Sequence, residues 1–124
     1  MALFMPPKCA PKPQLTSRPL MTDGAAQEVA GLFKILASDT RVSLLHALVG
    51  KGELCVSDLA SFVGMKPQAV SNQLQRLVDR GILGQRRDGT RIYYRLVDRC
   101  VATLLERGLC LVEDSATRVE RARR

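Results

Sequence analysis

Four cysteines, Cys9, Cys55, Cys100 and Cys110, and a single histidine, His46, are the side chains of this chain with ready nucleophilic or soft-ligand chemistry. Thiolates bind thiophilic ions, and oxidants or polysulfide join them. A second chemistry lies in one polar run. Gln68, Ser71, Asn72, Gln73, Gln75 and Arg76 carry amides, a hydroxyl and a guanidinium, groups that hydrogen-bond base edges and phosphates. Enzymatic work finds no such footing: no histidine or acid partner is recognisable beside any cysteine, and neither GxGxxG nor GxxxxGK occurs. One histidine also excludes a histidine-rich zinc or nickel site.

The polar run needs a helix to present it and a scaffold to hold that helix. Val56, Leu59, Ala60 and Val63 recur at the i, i+3, i+4, i+7 spacing of one apolar helical face, which Gly64 closes. Pro67 opens a second helix, where its missing N–H costs nothing, and Val70, Leu74, Leu77 and Val78 repeat the spacing to Asp79. Two short helices joined by about three residues make a helix-turn-helix, and the polar run lies on the open face of the second. Gly81 ends that helix and Ile82-Leu83 returns to the core. Gln85-Arg86-Arg87 then runs into Asp88-Gly89, a dipeptide favoured in two-residue hairpin turns, and Thr90 to Leu96 is the return strand. The expected fold is mostly α with a small β-hairpin wing, a winged helix-turn-helix.

Charge separates a DNA-reading surface from a merely solvated one. Between Lys66 and Arg95 stand seven basic residues (Lys66, Arg76, Arg80, Arg86, Arg87, Arg91, Arg95) against two acidic ones (Asp79, Asp88), so this segment supplies +5 of the formal +7. Such clustering is the footprint of a phosphate-binding surface. Lys66, Arg86, Arg87 and Arg91 therefore join the six helix residues as expected DNA contacts.

Residues 1–22 are rich in proline, carry basic but no acidic residues, and are expected to form a flexible arm whose one chemical feature is Cys9. Residues 23–112 are the DNA-binding and dimerisation domain, and 113–124 a fraying tail. Within the domain, Thr22 or Asp23 caps a first helix reaching Ala37, with Val29, Ala30, Phe33, Ile35 and Leu36 apolar. Ser38 and Asp39 cap a second from Thr40 to Val49, central by composition, ended by Gly50 and Gly52 before Glu53-Leu54-Cys55. A last helix covers Val97 to Val112, with Val101, Leu104, Leu105, Leu109 and Val112 apolar. The first and last helices have nowhere to hide their apolar faces in so small a domain, so a homodimer is expected to bury them. Two-fold symmetry also suits a palindromic double-stranded operator. The hydrophobic (46%) and charged (25%) fractions are those of a soluble protein. No apolar run approaches the roughly 18 residues of a membrane span and the N-terminus lacks a signal-peptide core, so the expected location is the cytoplasm. In a reducing compartment the cysteines are not a disulfide framework.

With these motifs in place, the chain resembles the ArsR/SmtB family of metal-responsive bacterial repressors over about residues 25–112. The likeness rests on LFKILASDTRVSLLHAL, GELCVSDLASFVG, KPQAVSNQLQRLVDRGIL and RRDGTRIYYRLVD, in order and with the family's spacing. It implies a dimeric winged helix-turn-helix that represses an operon and releases DNA when an inducer binds. It also places recognition-helix contacts at Gln68, Ser71, Asn72, Gln73 and Gln75. Lys66 departs from the serine cap common in the family, losing a cap bond while offering a charge to phosphate.

The resemblance frames the inducer as well. Family sensors with ELCVCDL use both thiols together with cysteines of the partner's arm. This chain has ELCVSDL, with Ser57 in place of the second thiol, a poor ligand for a soft ion. Cys9 and Cys55 are the expected ligands for As(III), Sb(III), Hg(II), Cd(II) or Pb(II), since the resemblance brings the arm to the partner subunit's Cys55. The N-cap position expected for Cys55 also favours a thiolate. In the family's second site, across the paired last helices, Asp98 is kept, Cys100 replaces a histidine, Leu111 replaces a third ligand and Asp114 is available. A zinc site is thus damaged, and Cys100 and Cys110 are secondary thiol candidates. The rival readings are a thiol-redox or polysulfide-responsive repressor of the same fold, and a DNA-binding regulator with inert cysteines.

Overall fold

The Thr22 hydroxyl accepts the Ala25 N–H at 3.1 Å and starts α1 (Asp23–Leu36). The structure is a computed structural model that describes residues 12–123. Before α1, Leu15–Ser17 make one 3₁₀ turn with no buried residue; Cys9 lies outside the described residues. Ser38 caps α2 (Asp39–Lys51) by accepting the Arg41 N–H, and Gly52, with φ 88°, ends it.

The apolar stripe expected on α1 divides in two. Leu36 is buried and Leu32 and Ile35 pack beside it on the core, whereas Phe33 stands half exposed next to exposed Val29. Helical periodicity gives both an i, i+3, i+4 row inward and an i, i+4 pair outward. On α2, Leu44, Leu45 and Leu48 are fully buried while Val42 and Val49 are exposed, so the helix is central along one side only.

Glu53-Leu54-Cys55 adds an element that alternation does not reveal in so short a run. It forms β1 (Glu53–Cys55), paired antiparallel with β3 (Arg91–Leu96) at Glu53↔Arg95, Leu54↔Tyr94 and Cys55↔Tyr93. With β2 (Leu83–Asp88) on the other side of β3, the expected two-stranded wing is part of a three-stranded sheet in the order β1-β3-β2. The hairpin turn sits one residue later than expected, at Gly89-Thr90, because Asp88 pairs with Arg91. Gly89 has φ 62° and no non-glycine residue among the described residues has positive φ, the sign pattern of a type II′ turn, which asks for a glycine only at its first central position.

Between β1 and β2 lie α3 (Val56–Val63) and α4 (Pro67–Asp79). Gly64 ends α3 in the left-handed region (φ 67°, ψ 33°). Leu59 and Ala60 of α3, and Val70, Leu74 and Leu77 of α4, face the same core as Leu44, Leu45 and Leu48, closed by Leu83, Tyr94 and Leu96 of the sheet. The helix-turn-helix is therefore anchored on α2 beneath and the wing beside it.

The last helix starts later than its apolar pattern suggests. Val97, just past the end of β3, donates its N–H to the Ile82 carbonyl at 3.1 Å, and the Asp98 carboxylate accepts the Cys100 N–H at 2.8 Å at the start of α5 (Cys100–Glu113). Beyond a turn at Asp114, the segment expected to fray forms α6 (Ser115–Ala122), which has no buried residue. Val101, Leu104 and Leu105 of α5 pack on the core; Leu109, Leu111 and Val112 are exposed.

Candidate nucleic-acid interface and thiols

Pro67 at the first turn and the buried row Val70-Leu74-Leu77 fix which side of α4 faces out. Gln68, Asn72, Gln75 and Arg76 are exposed along that side, with Ser71 half-buried at its edge. Hydrogen bonds at one-turn spacing hold the amides: Gln68 Nε2 donates to Asn72 Oδ1 at 3.2 Å and Gln75 Nε2 to the Asp79 carboxylate at 3.0 Å. Both bonds lie on the exposed side of the helix, so the side chains remain accessible. Lys66 is the N-cap residue of α4 and is exposed; its side chain makes no cap bond, as its chemistry dictates.

Two of the expected readers are engaged with the protein. Ser71 hydrogen-bonds the Tyr94 phenol, which is buried; burial pushes the phenol's pKa up and the Ser71 bond draws it part of the way back. Gln73 is half-buried, one step around the helix from the exposed row, and its Oε1 accepts from Arg41 Nε at 2.8 Å. Arg41 also donates through an NH group to the Ile35 carbonyl at 3.0 Å.

The wing shows a similar division. Arg87 and Arg91 are exposed near the hairpin tip. Arg86 is clasped: it donates two hydrogen bonds to Glu53 Oε1, at 2.6 and 2.8 Å, and its guanidinium lies 4.6 Å from the Tyr93 ring centroid. The bond to Glu53 raises the Arg86 pKa further above its ordinary value. Arg91 is likewise raised, first by its hydrogen bond with Tyr93. Sequence reasoning missed Glu53 and Tyr93 because β1 is too short to declare itself, and only strand pairing brings them to Arg86.

Of the cysteines within the described residues, Cys55 and Cys110 carry free thiols, whereas Cys100 does not. Cys55 is 3% exposed, ends β1 and is the N-cap residue of α3 without capping it through its side chain. Its thiol donates to Asp58 Oδ2 at 3.2 Å, and Ser57 Oγ lies at the same distance from the sulfur. The side chain beside this sulfur is thus the Ser57 hydroxyl and not a second thiol. Cys110 is exposed on α5 and its thiol faces the Asp114 carboxylate at 3.6 Å. Asp98 is occupied as the acceptor for the Cys100 N–H. No group of three or more His, Cys, Asp or Glu side chains within the described residues could hold a metal ion.

An open polar row on the second helix of a helix-turn-helix, a basic wing beside it and uncovered apolar faces on α1 and α5 define a DNA-binding regulator of the winged helix-turn-helix class. Known proteins make the class specific. Residues 38–84 match the family model described as bacterial regulatory protein, arsR family. The cadmium resistance transcriptional regulatory protein CadC of Listeria innocua is 34% identical over 86 residues, covering 69% of this chain and 72% of that one. The crystal structure of the antimony-specific transcriptional repressor AntR shares 60% identity, covers 88% of this chain and 98% of that one, and superposes with a TM-score of 0.75. A homodimeric winged helix-turn-helix DNA-binding domain from Mycobacterium bovis is 31% identical over 78% of this chain and 92% of its own, with a TM-score of 0.66. The chain belongs to the arsR family of bacterial regulatory proteins, whose relatives include metal- and metalloid-responsive repressors.

Proposed function

We propose that this protein is a cytoplasmic homodimeric repressor that holds a palindromic operator and releases it when a thiophilic ion binds its cysteine thiols. Trivalent antimony or arsenic is the first choice among As(III), Sb(III), Hg(II), Cd(II) and Pb(II), because the antimony-specific repressor AntR is so similar over nearly its whole length. The observation that carries the reading is the position of Cys55. It ends the strand that pairs with wing strand β3 and begins α3, the first helix of the helix-turn-helix. An ion that draws this sulfur acts at the junction of both DNA-reading elements. It would do so by binding the DNA-free arrangement more tightly than the DNA-bound one, which is what coupling requires.

The neighbours of Cys55 also say what the site lacks. One sulfur with Ser57 and Asp58 oxygens beside it is not a complete soft-ion cage, so further sulfur must come from elsewhere. A thiol of the second subunit, or Cys9 in its reduced form, supplies it in this reading. Binding at Cys55 expels the thiol proton and breaks its bond to Asp58, so induction draws strength from rising pH. A second reading places the ion at α5, favoured by the exposure of Cys110 beside Asp114.

Gel-shift titration of operator DNA with Sb(III), As(III), Hg(II) and Cd(II), under reducing conditions, tests these readings. Release by a stoichiometric ion that Cys55→Ser abolishes supports the first; release lost only with Cys110→Ser supports the second. Release by peroxide or polysulfide alone would replace metal sensing with redox sensing.

A further inference from the structure

Arg41 stands where helix chemistry does not favour it. Ser38 caps α2, and the third helical position after such a cap is where a glutamate or glutamine completes a capping box and a negative charge suits the helix dipole. A guanidinium at that position gains nothing locally, so its stabilisation comes from further away. Its Nε donates to Gln73 Oε1 of α4 at 2.8 Å, and an NH group donates to the Ile35 carbonyl at 3.0 Å. Ile35 lies in the last turn of α1, where carbonyls have no partner in their own helix. One rigid fork on α2 thus ties the end of α1 to the middle of the recognition helix.

The two tied elements have different roles. α1 carries the exposed Val29 and Phe33, an uncovered apolar strip, and α4 carries the exposed Gln68-Asn72-Gln75-Arg76 row. The distance and tilt between two recognition helices in a dimer decide which half-site spacing fits. We propose that Arg41 and Gln73 are positioning residues for operator recognition: they set α4 against α1, and Gln73 acts through Arg41 instead of reading a base. A planar fork with two donors at fixed geometry does this, whereas a lysine point charge does not. The proposal rests on the DNA-binding reading above.

The test compares Arg41→Ala, Arg41→Lys, Gln73→Ala and the double variant Arg41→Ala/Gln73→Ala in the full-length protein. Operator and scrambled duplexes are titrated at several salt concentrations, with thermal unfolding recorded in parallel. Each single variant should weaken operator binding about tenfold, as expected for loss of a charge-assisted hydrogen bond. Scrambled-duplex affinity and the salt slope should be unchanged, because no phosphate contact is lost. The double variant should be no worse than either single one. Equal loss on both duplexes with a shallower salt slope would make Arg41 a phosphate contact and overturn the proposal. So would wild-type operator affinity in Arg41→Lys, or additive losses in the double variant, which would make Gln73 an independent base reader. Wild-type protein indifferent to every duplex would instead overturn the DNA-binding reading itself.

Discussion

Among single residues, the arginines of the wing show that exposure and charge do not define one role. Arg87 is exposed close to the hairpin tip, whereas Arg86 is held by two hydrogen bonds to Glu53 and by the Tyr93 ring. Arg87→Ala should therefore lower the slope of log affinity against log salt by about 0.9, the signature of one lost phosphate contact. Arg86→Ala should leave that slope within error, and faster amide exchange along β2 should report its loss instead. Fluorescence anisotropy at four salt concentrations and hydrogen exchange give both readings. Tyr94 supplies a pH prediction. Burial raises its folded-state pKa, and the unfolded phenol titrates at about 10. Stability from this group is fully present below that value and is lost as pH rises towards the raised folded one. Urea unfolding between pH 8 and pH 11, taken as about the accessible range, should show an alkaline decline that Tyr94→Phe diminishes. An identical decline in both proteins would assign it to other groups.

Turns and strands are where reading the chain alone succeeds and fails for identifiable reasons. Gly64 is legible because αL termination is a glycine property, and Val70-Leu74-Leu77 because a buried helical face repeats at a fixed interval. Gly64→Ala should cost about 1 kcal/mol through backbone strain alone, since an added Cβ would meet nothing within 4 Å. Chemical denaturation of the two proteins measures it, and an unchanged midpoint would contradict the strain assignment. β1 is not legible. Three residues give no alternation to count, and their strand identity comes from Tyr93, Tyr94 and Arg95, some forty positions away in the chain. The same limit hid the Glu53 clasp, the inward bonds of Ser71 and Gln73, and the reach of Arg41, each of which joins residues distant in sequence. α6 was missed for another reason: no residue of it is buried, so it has no apolar face on the core to announce it.

For the molecule as a whole, the uncovered faces of α1 and α5 matter most. Val29 and Phe33 on one, with Leu109, Leu111 and Val112 on the other, are apolar side chains that the single chain leaves exposed. With the proposed dimer on a palindromic operator, Phe33→Asp should shift sedimentation from dimer to monomer and weaken operator binding about a hundredfold, because the second half-site no longer adds its affinity. A variant that stays dimeric would move the interface off α1. If the interface does include α1, abundance enters the physics of the switch. A fold whose last apolar surface is buried only by pairing melts at a temperature that climbs with its own concentration. A cell holding few copies would then keep a less robust repressor than a cell holding many, before any inducer arrives.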